Sequence, residues 1–173
     1  RRPRAAALAG YRLQSTLSPH GTVSRGLCRA DHDRALLSVE EITEIGRRAD
    51  GQICGLTSAG EPCLLTGQEL VSMNCWGFSP EVFDLLETQF RKFLREASSS
   101  DRAEFYLPAA IDAAIQQGQL SVEVLPVAAL WFGLTYPEDR APVEAAIGDL
   151  IASGEYPSPL PGAVLPVPAN QIG

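Results

Sequence analysis

Three short stretches place side chains suited to chemistry. In "SPHGTVSRG", residues 18–26, loop-type residues end at Gly26, a position where backbone can come close to a ligand, with a plain turn glycine as the equal alternative. Glu41 closes the apolar run "RALLSVEEI", where its carboxylate can accept hydrogen bonds from sugar hydroxyls; on chemistry alone, a solvated surface acid is the simpler reading. The third stretch is "VSMNCWGF", residues 71–78, an apolar strand-like segment that interrupts itself with Asn74 and then Trp76-Gly77. A buried Asn without a partner would cost about 1 to 3 kcal/mol. An Asn that both donates and accepts, beside a flat indole, suits a polyhydroxyl ligand, and a core Trp with a paired Asn fits equally well.

Other chemistries lack local support. The chain has no G-x-S-x-G elbow, H-E-x-x-H helix or Walker loop. The acidic pairs Glu40-Glu41 and Glu138-Asp139 could hold magnesium, but adjacent acids at a helix start more often complement the helix dipole. Cys28, Cys54, Cys63 and Cys75 show no C-x-x-C spacing, so we expect reduced, structural thiols and a cytoplasmic protein. The pairing easiest to imagine is Cys54 with Cys63 across a hairpin. His20 and His32 lie in polar loop sequence and form no ligand pair.

At 173 residues with 45% hydrophobic and 20% charged residues, the chain suits one globular domain. A formal charge of −7 argues against a general nucleic-acid or anionic-membrane surface, and no apolar run approaches the ~20 residues of a membrane span. The basic cluster Arg1, Arg2 and Arg4 reads as a cut or frayed chain start rather than a signal peptide.

The first half reads as strands and turns: "ALAGYRLQSTL" is extended, and "RALLSVEEI" is a strand passing into a short irregular segment. A helix through "SVEEITEIGRRADG" competes, because Ser38 and Glu41 resemble a capping box and Ile42 and Ile45 could share a helical face. Two short strands joined by the turn from Thr57 to Pro62 come next, followed by the "VSMNCWGF" strand.

The period then changes. Ser79-Pro80-Glu81 predicts a capped helix start, with Val82, Phe83, Leu86, Phe90, Phe93 and Leu94 recurring at helical spacing as far as the "SSSD" loop. "LPAAIDAAIQQG" predicts a second helix stopping at Gly118, "LSVEVLPV" a strand, and Pro137-Glu138-Asp139 the start of a last helix ending near Gly154. Residues 161–173 belong to a Pro-rich tail. The element order indicates α/β with a mixed sheet.

The stretches "GYRLQSTLSPHGTVSRGLC", "VEEITEI", "VSMNCWGFSPEVFDLLETQFRKFL", "AEFYLP", "LWFGLTYPEDR" and "IASGEYPSPL", in order from about Tyr11 to Leu160, resemble the C-terminal portion of bacterial sugar-1-phosphate nucleotidyltransferases, the NDP-sugar pyrophosphorylase superfamily. The resemblance implies a Rossmann-like, GT-A type α/β domain over residues 1–160. The implied reaction converts sugar 1-phosphate and NTP to NDP-sugar and pyrophosphate with magnesium. Carried over by motif, Gly26 resembles the glycine whose backbone meets the sugar, Glu41 the acid that binds sugar hydroxyls, and Asn74 with Gly77 part of the strand lining the sugar pocket.

The departures are specific. The family's N-terminal G-x-G-T-R loop, its Lys and its strand-end magnesium Asp have no counterpart in the 173 residues, which implies that the nucleotide-binding half is missing. Ile42 stands where a Lys or Arg commonly follows the sugar-binding acid. Trp131-Phe132-Gly133 stands where many relatives have W-x-D-x-G, leaving Asp139 as the candidate metal ligand. The chain is therefore expected to be inactive alone, with a non-catalytic sugar-phosphate-binding or oligomerisation module as the alternative. The sheet edge that the missing half would bare could pair two copies into a homodimer.

Overall fold

The computed structural model describes residues 4–96, 103–129, 131–134 and 136–159. The expected Pro-rich tail, the "SSSD" loop, and Arg1 and Arg2 lie outside them. The chain divides into two compact units, Arg1–Trp131 and Phe132–Gly173.

The first unit is mixed α/β. Seven strands, β1 (Arg4–Arg12), β2 (Val23–Ala30), β3 (Leu36–Arg47), β4 (Ile53–Leu56), β5 (Pro62–Leu65), β6 (Leu70–Phe78) and β7 (Leu120–Val127), form one sheet in the order β5-β4-β3-β2-β6-β1-β7. β1 and β7 run parallel, and every other neighbouring pair is antiparallel. Two helices, α1 (Val82–Glu96) and α2 (Leu107–Gln116), fill the crossover between β6 and β7. In the second unit a 3-10 turn over Pro137–Asp139 leads into α3 (Arg140–Ala152), and Gly154 follows at φ 78.

Strand alternation sends successive side chains into two separate cores. Leu8, Leu36, Val122 and Val124 pack with Val82 and Leu85 of α1 and Ile111 and Ala114 of α2. Leu13, Val23, Ile42, Ile45, Ile53 and Val71 form the second cluster. β7 shows the pattern in its simplest form, with Leu120, Val122 and Val124 buried and Ser121, Glu123 and Leu125 exposed.

β3 resolves the competition between strand and helix as one long strand with a bulge. Val23 pairs with Ile45 but Arg25 with Ile42, so β3 carries one residue more than β2, and Glu44 takes up the excess at φ 51. Pairing with β4 shows the same excess in β3, since Thr43 faces Leu56 and Gly46 faces Cys54. The extra residue returns Ile45 to the face of Ile42, and both are 1% exposed. Their three-residue spacing mimics a helix in the sequence, but the bulge produces it.

The first half of β3 extends beyond the four-residue β4, leaving backbone groups without a strand partner. α2 covers them: the Val39 amide donates to Asp112 Oδ1 at 3.0 Å, and Gln116 Nε2 donates to the Leu37 carbonyl at 2.8 Å. On the other side the sheet bends back on itself. Ala35 bridges Glu123, the Val124 amide donates to the Arg34 carbonyl at 2.8 Å, and Arg34 pairs with Glu123 at 2.7 Å.

Two further expectations change. α1 begins at Val82, because Ser79–Glu81 form a turn whose carbonyls at Ser79 and Pro80 receive the first helical amides. Its apolar face is only partly used: Val82 and Leu85 are buried, while Phe83, Phe90 and Leu94 are 71%, 43% and 54% exposed. The four cysteines are free. Cys54 faces Leu64 and Cys63 faces Gly55, so the two thiols project to opposite faces of the β4-β5 hairpin and cannot bridge. Among the described residues, no helix is long and apolar enough to cross a membrane.

Candidate functional site

One row of cross-strand partners carries most of the candidate residues. Glu41 of β3 faces Gly26 of β2, Gly26 faces Ser72 of β6, and Ser72 faces Gly10 of β1. Two glycines and a serine thus make a line of small residues across the middle of the sheet, covered by Val39 and Val124, with the exposed Glu41 carboxylate at one end. Gly26 lies within β2 rather than in the loop expected for it, because Val23 already pairs with β3. Glu41 lies mid-strand rather than at a strand end.

Close packing accounts for Gly26. A β-carbon there would meet Val39 Cγ1 at 3.0 Å and Ser72 Cβ at 3.3 Å. Next along β2, Cys28 donates its thiol to the Gly26 carbonyl at 3.6 Å. Burial pushes the Cys28 thiol up to about 12, against a smaller opposing effect of the Ser72 backbone, so it is not a nucleophile at neutral pH.

A second bulge answers the question raised by "VSMNCWGF". Leu8 pairs with Trp76 and Gly10 with Ser72, so β6 spends four steps where β1 spends two. Asn74 sits in that excess at φ 56, a left-handed conformation that Asn tolerates better than most residues. Its amide donates to Ser72 Oγ at 3.1 Å, and its Oδ1 accepts from Trp76 Nε1 at 3.4 Å. Asn74 is therefore an exposed bulge residue, and Trp76 stacks at 5.7 Å on Phe78. Gly77 is also exposed, and a β-carbon there would meet only Ala7 Cβ, at 3.9 Å.

A groove and a cleft lie elsewhere among the described residues. A groove of about 950 Å³ runs between α1 and α2, lined by residues including Gln89, Lys92, Phe93, Glu104 and Tyr106. None of Gly26, Glu41, Asn74 or Gly77 lines it. Tyr106 connects the two places electrostatically: a hydrogen bond to Glu104 raises its hydroxyl pKa first, then the Glu104 charge and burial, and the Glu41 charge adds to the same direction. Glu41 thus lies within electrostatic reach of the groove's rim. Phe105 packs against Phe90 and Phe93 at 5.3 and 5.6 Å, forming an aromatic cluster that the residues' separation in sequence conceals.

Arg25 takes the face opposite Gly26. Its Nε donates to the buried Thr16 Oγ1 at 3.1 Å, its Nη2 donates to the Thr16 carbonyl, and its guanidinium lies 5.0 Å from the Trp131 ring. Burial lowers its pKa. Trp131 therefore serves as a shelf for Arg25.

In the second unit, Asp139 Oδ2 accepts from the Tyr136 amide at 2.8 Å, completing a capping box ahead of α3. Among the described residues no group of three His, Cys, Asp or Glu side chains is placed to hold a metal ion. Asp139, the carboxylate expected to hold magnesium, is engaged in this cap, and one such carboxylate does not by itself make a magnesium site.

No protein-family model matches the chain, and no curated protein matches it. Fold and site together define an α/β protein with a seven-stranded mixed sheet, flanking helices and a glycine-lined strip ending in a carboxylate.

Proposed function

We propose that the chain is the sugar-binding portion of a nucleotidyltransferase-like domain of the GT-A, Rossmann-like type, and that it binds a sugar 1-phosphate. The observation that supports this most is the row Glu41, Gly26, Ser72 and Gly10, which sets the exposed Glu41 carboxylate at the end of a line of small, packed residues. In this reading the exposed Glu41 carboxylate accepts hydrogen bonds from sugar hydroxyls and Trp76 with Asn74 presents an apolar face and an amide along β6, while Gly26, packed against Val39 and Ser72, acts only by keeping the strands close.

In the full reaction an oxygen of the sugar phosphate attacks the α-phosphorus of an NTP and pyrophosphate leaves. This chain's residues hold and orient the sugar, and the nucleotide loop is not among them. The purified chain is accordingly proposed to bind without turning over.

Titration calorimetry with a panel of sugar 1-phosphates tests the site: saturable binding abolished by Glu41→Ala is expected, and binding indifferent to that substitution refutes it. Pyrophosphate release with a panel of NTPs tests the second claim, which turnover by the chain alone would sink. One observation favours an oligomerisation module as the second reading. β5 is the outer strand of the described sheet and Leu64 on it is 70% exposed, and in this reading a second copy packs against that strand. A concentration-dependent dimer with no sugar-phosphate binding would favour that reading.

A further inference from the structure

The distal end of β3 and the loop entering β2 enclose a second cleft of about 690 Å³. Its walls come from opposite sides of one strand pair. Because Val23 faces Ile45, the residues before β2 lie over those that end β3, and Thr22 approaches so closely that a β-carbon on Gly46 would sit 3.2 Å from its methyl group. The cleft is lined on one side by Ser18, His20 and Thr22 and on the other by Arg47 and Arg48. Among the described residues no carboxylate lines it, although the protein as a whole carries a formal charge of −7.

A tight turn fixes the Arg48 backbone and anchors the Arg47 side chain. The Arg48 amide donates to the Gln52 carbonyl at 2.8 Å, the Gly51 amide donates to the Arg48 carbonyl at 2.9 Å, and Arg47 Nη1 donates to the Gly51 carbonyl at 3.0 Å. Asp50, the acid closest in sequence, accepts from the Gln52 amide at 2.9 Å and so serves the turn. A guanidinium with one nitrogen anchored still has donors in the planar arrangement that suits phosphate oxygens.

We infer that this cleft is an anion site that takes a diphosphate-class ligand, with Arg47 and Arg48 as the charged donors and the hydroxyl-rich segment Ser18–Thr22 as the opposite wall. Its volume falls in the range of small-ligand sites. A diphosphate presents enough oxygens to engage both guanidinium groups, whereas a single phosphate reaches fewer donors. The site is separate from the proposed sugar strip: Arg47 lies six residues beyond Glu41 along the same strand, roughly 18–20 Å at about 3.3 Å per residue. It does not depend on the sugar-site reading.

The full chain is titrated with inorganic pyrophosphate and with inorganic phosphate at constant ionic strength, by calorimetry and by amide NMR. Saturable pyrophosphate binding, tighter than phosphate, is expected, with shifts concentrated at residues 18–22 and 46–48. Arg48→Ala removes a side chain without touching the anchor on Gly51, and is expected to weaken binding about tenfold or more, the loss of one charge-assisted contact. The Arg47→Ala/Arg48→Ala pair removes the rest, and Arg29→Ala, an exposed arginine outside the cleft, leaves affinity unchanged. Failure to saturate by about 10 mM, shifts centred elsewhere, or equal losses from Arg29→Ala and Arg48→Ala would each overturn the inference. If the double variant fails to fold, Arg48→Ala alone decides. Pyrophosphate binding that survives Glu41→Ala separates this site from the sugar strip.

Discussion

Substituting alanine at the candidate glycines Gly26 and Gly77 should destabilise the protein at the first and leave it nearly unchanged at the second. At Gly26 the new methyl would lie 3.0 Å from Val39 Cγ1 and 3.3 Å from Ser72 Cβ, inside the 3.5–4.0 Å at which carbon atoms attract. Neither neighbour yields easily. The Val39 amide is bonded to Asp112, and Ser72 is 6% exposed with its hydroxyl holding the Asn74 amide. Overpacking of this kind costs about 1 to 3 kcal/mol. At about 2 to 4 °C per kcal/mol for a chain of this size, Gly26→Ala should lower Tm by roughly 2 to 12 °C. At Gly77 the nearest atom is Ala7 Cβ at 3.9 Å and the backbone is not left-handed, so Gly77→Ala should stay within about 0.5 kcal/mol of wild type. Urea unfolding followed by circular dichroism reads both as a change in midpoint at constant slope. Equal midpoints for the two variants, or a Gly26→Ala protein as stable as wild type, would refute the packing argument for the strip.

Glu44→Gly should leave stability unchanged or raise it by up to about 1 kcal/mol, since glycine relieves the left-handed strain at φ 51; a clear loss in urea unfolding would show that the bulge does not hold that conformation. With its thiol pushed up to about 12, Cys28 should be about one part in ten thousand thiolate at pH 8, so a thiol reagent should label the exposed Cys75 in the native protein and Cys28 only after denaturation, as peptide mapping would show. Burial would raise the Glu69 pKa, but hydrogen bonds from the Thr66 amide and hydroxyl and the Gly67 amide hold it below the usual carboxylate range. Its contribution is therefore complete above the ordinary carboxylate pKa and is lost as pH falls through the lowered folded value. Glu69→Gln should narrow the stability difference between pH 7 and pH 3, and an unchanged difference would count against those bonds.

Local period alone determined several elements of this protein. The strict alternation of "LSVEVLPV" and the helical spacing of "LPAAIDAAIQQG" became β7 and α2 with little change, because each pattern is complete within its own segment. Where a strand departs from regular geometry, the sequence is ambiguous: Ile42 and Ile45 are three residues apart, a spacing that a helix and a bulged strand both place on one face. The same holds for "VSMNCWGF", whose apparent polar interruption is an exposed bulge created by pairing with β1. Only the tertiary structure decided that Glu41, Gly26, Ser72 and Gly10 share one row, and that Arg47 and Arg48 face the loop before β2. Those neighbours are set by register between strands distant in the chain, and register is a property of the pair that no single segment encodes.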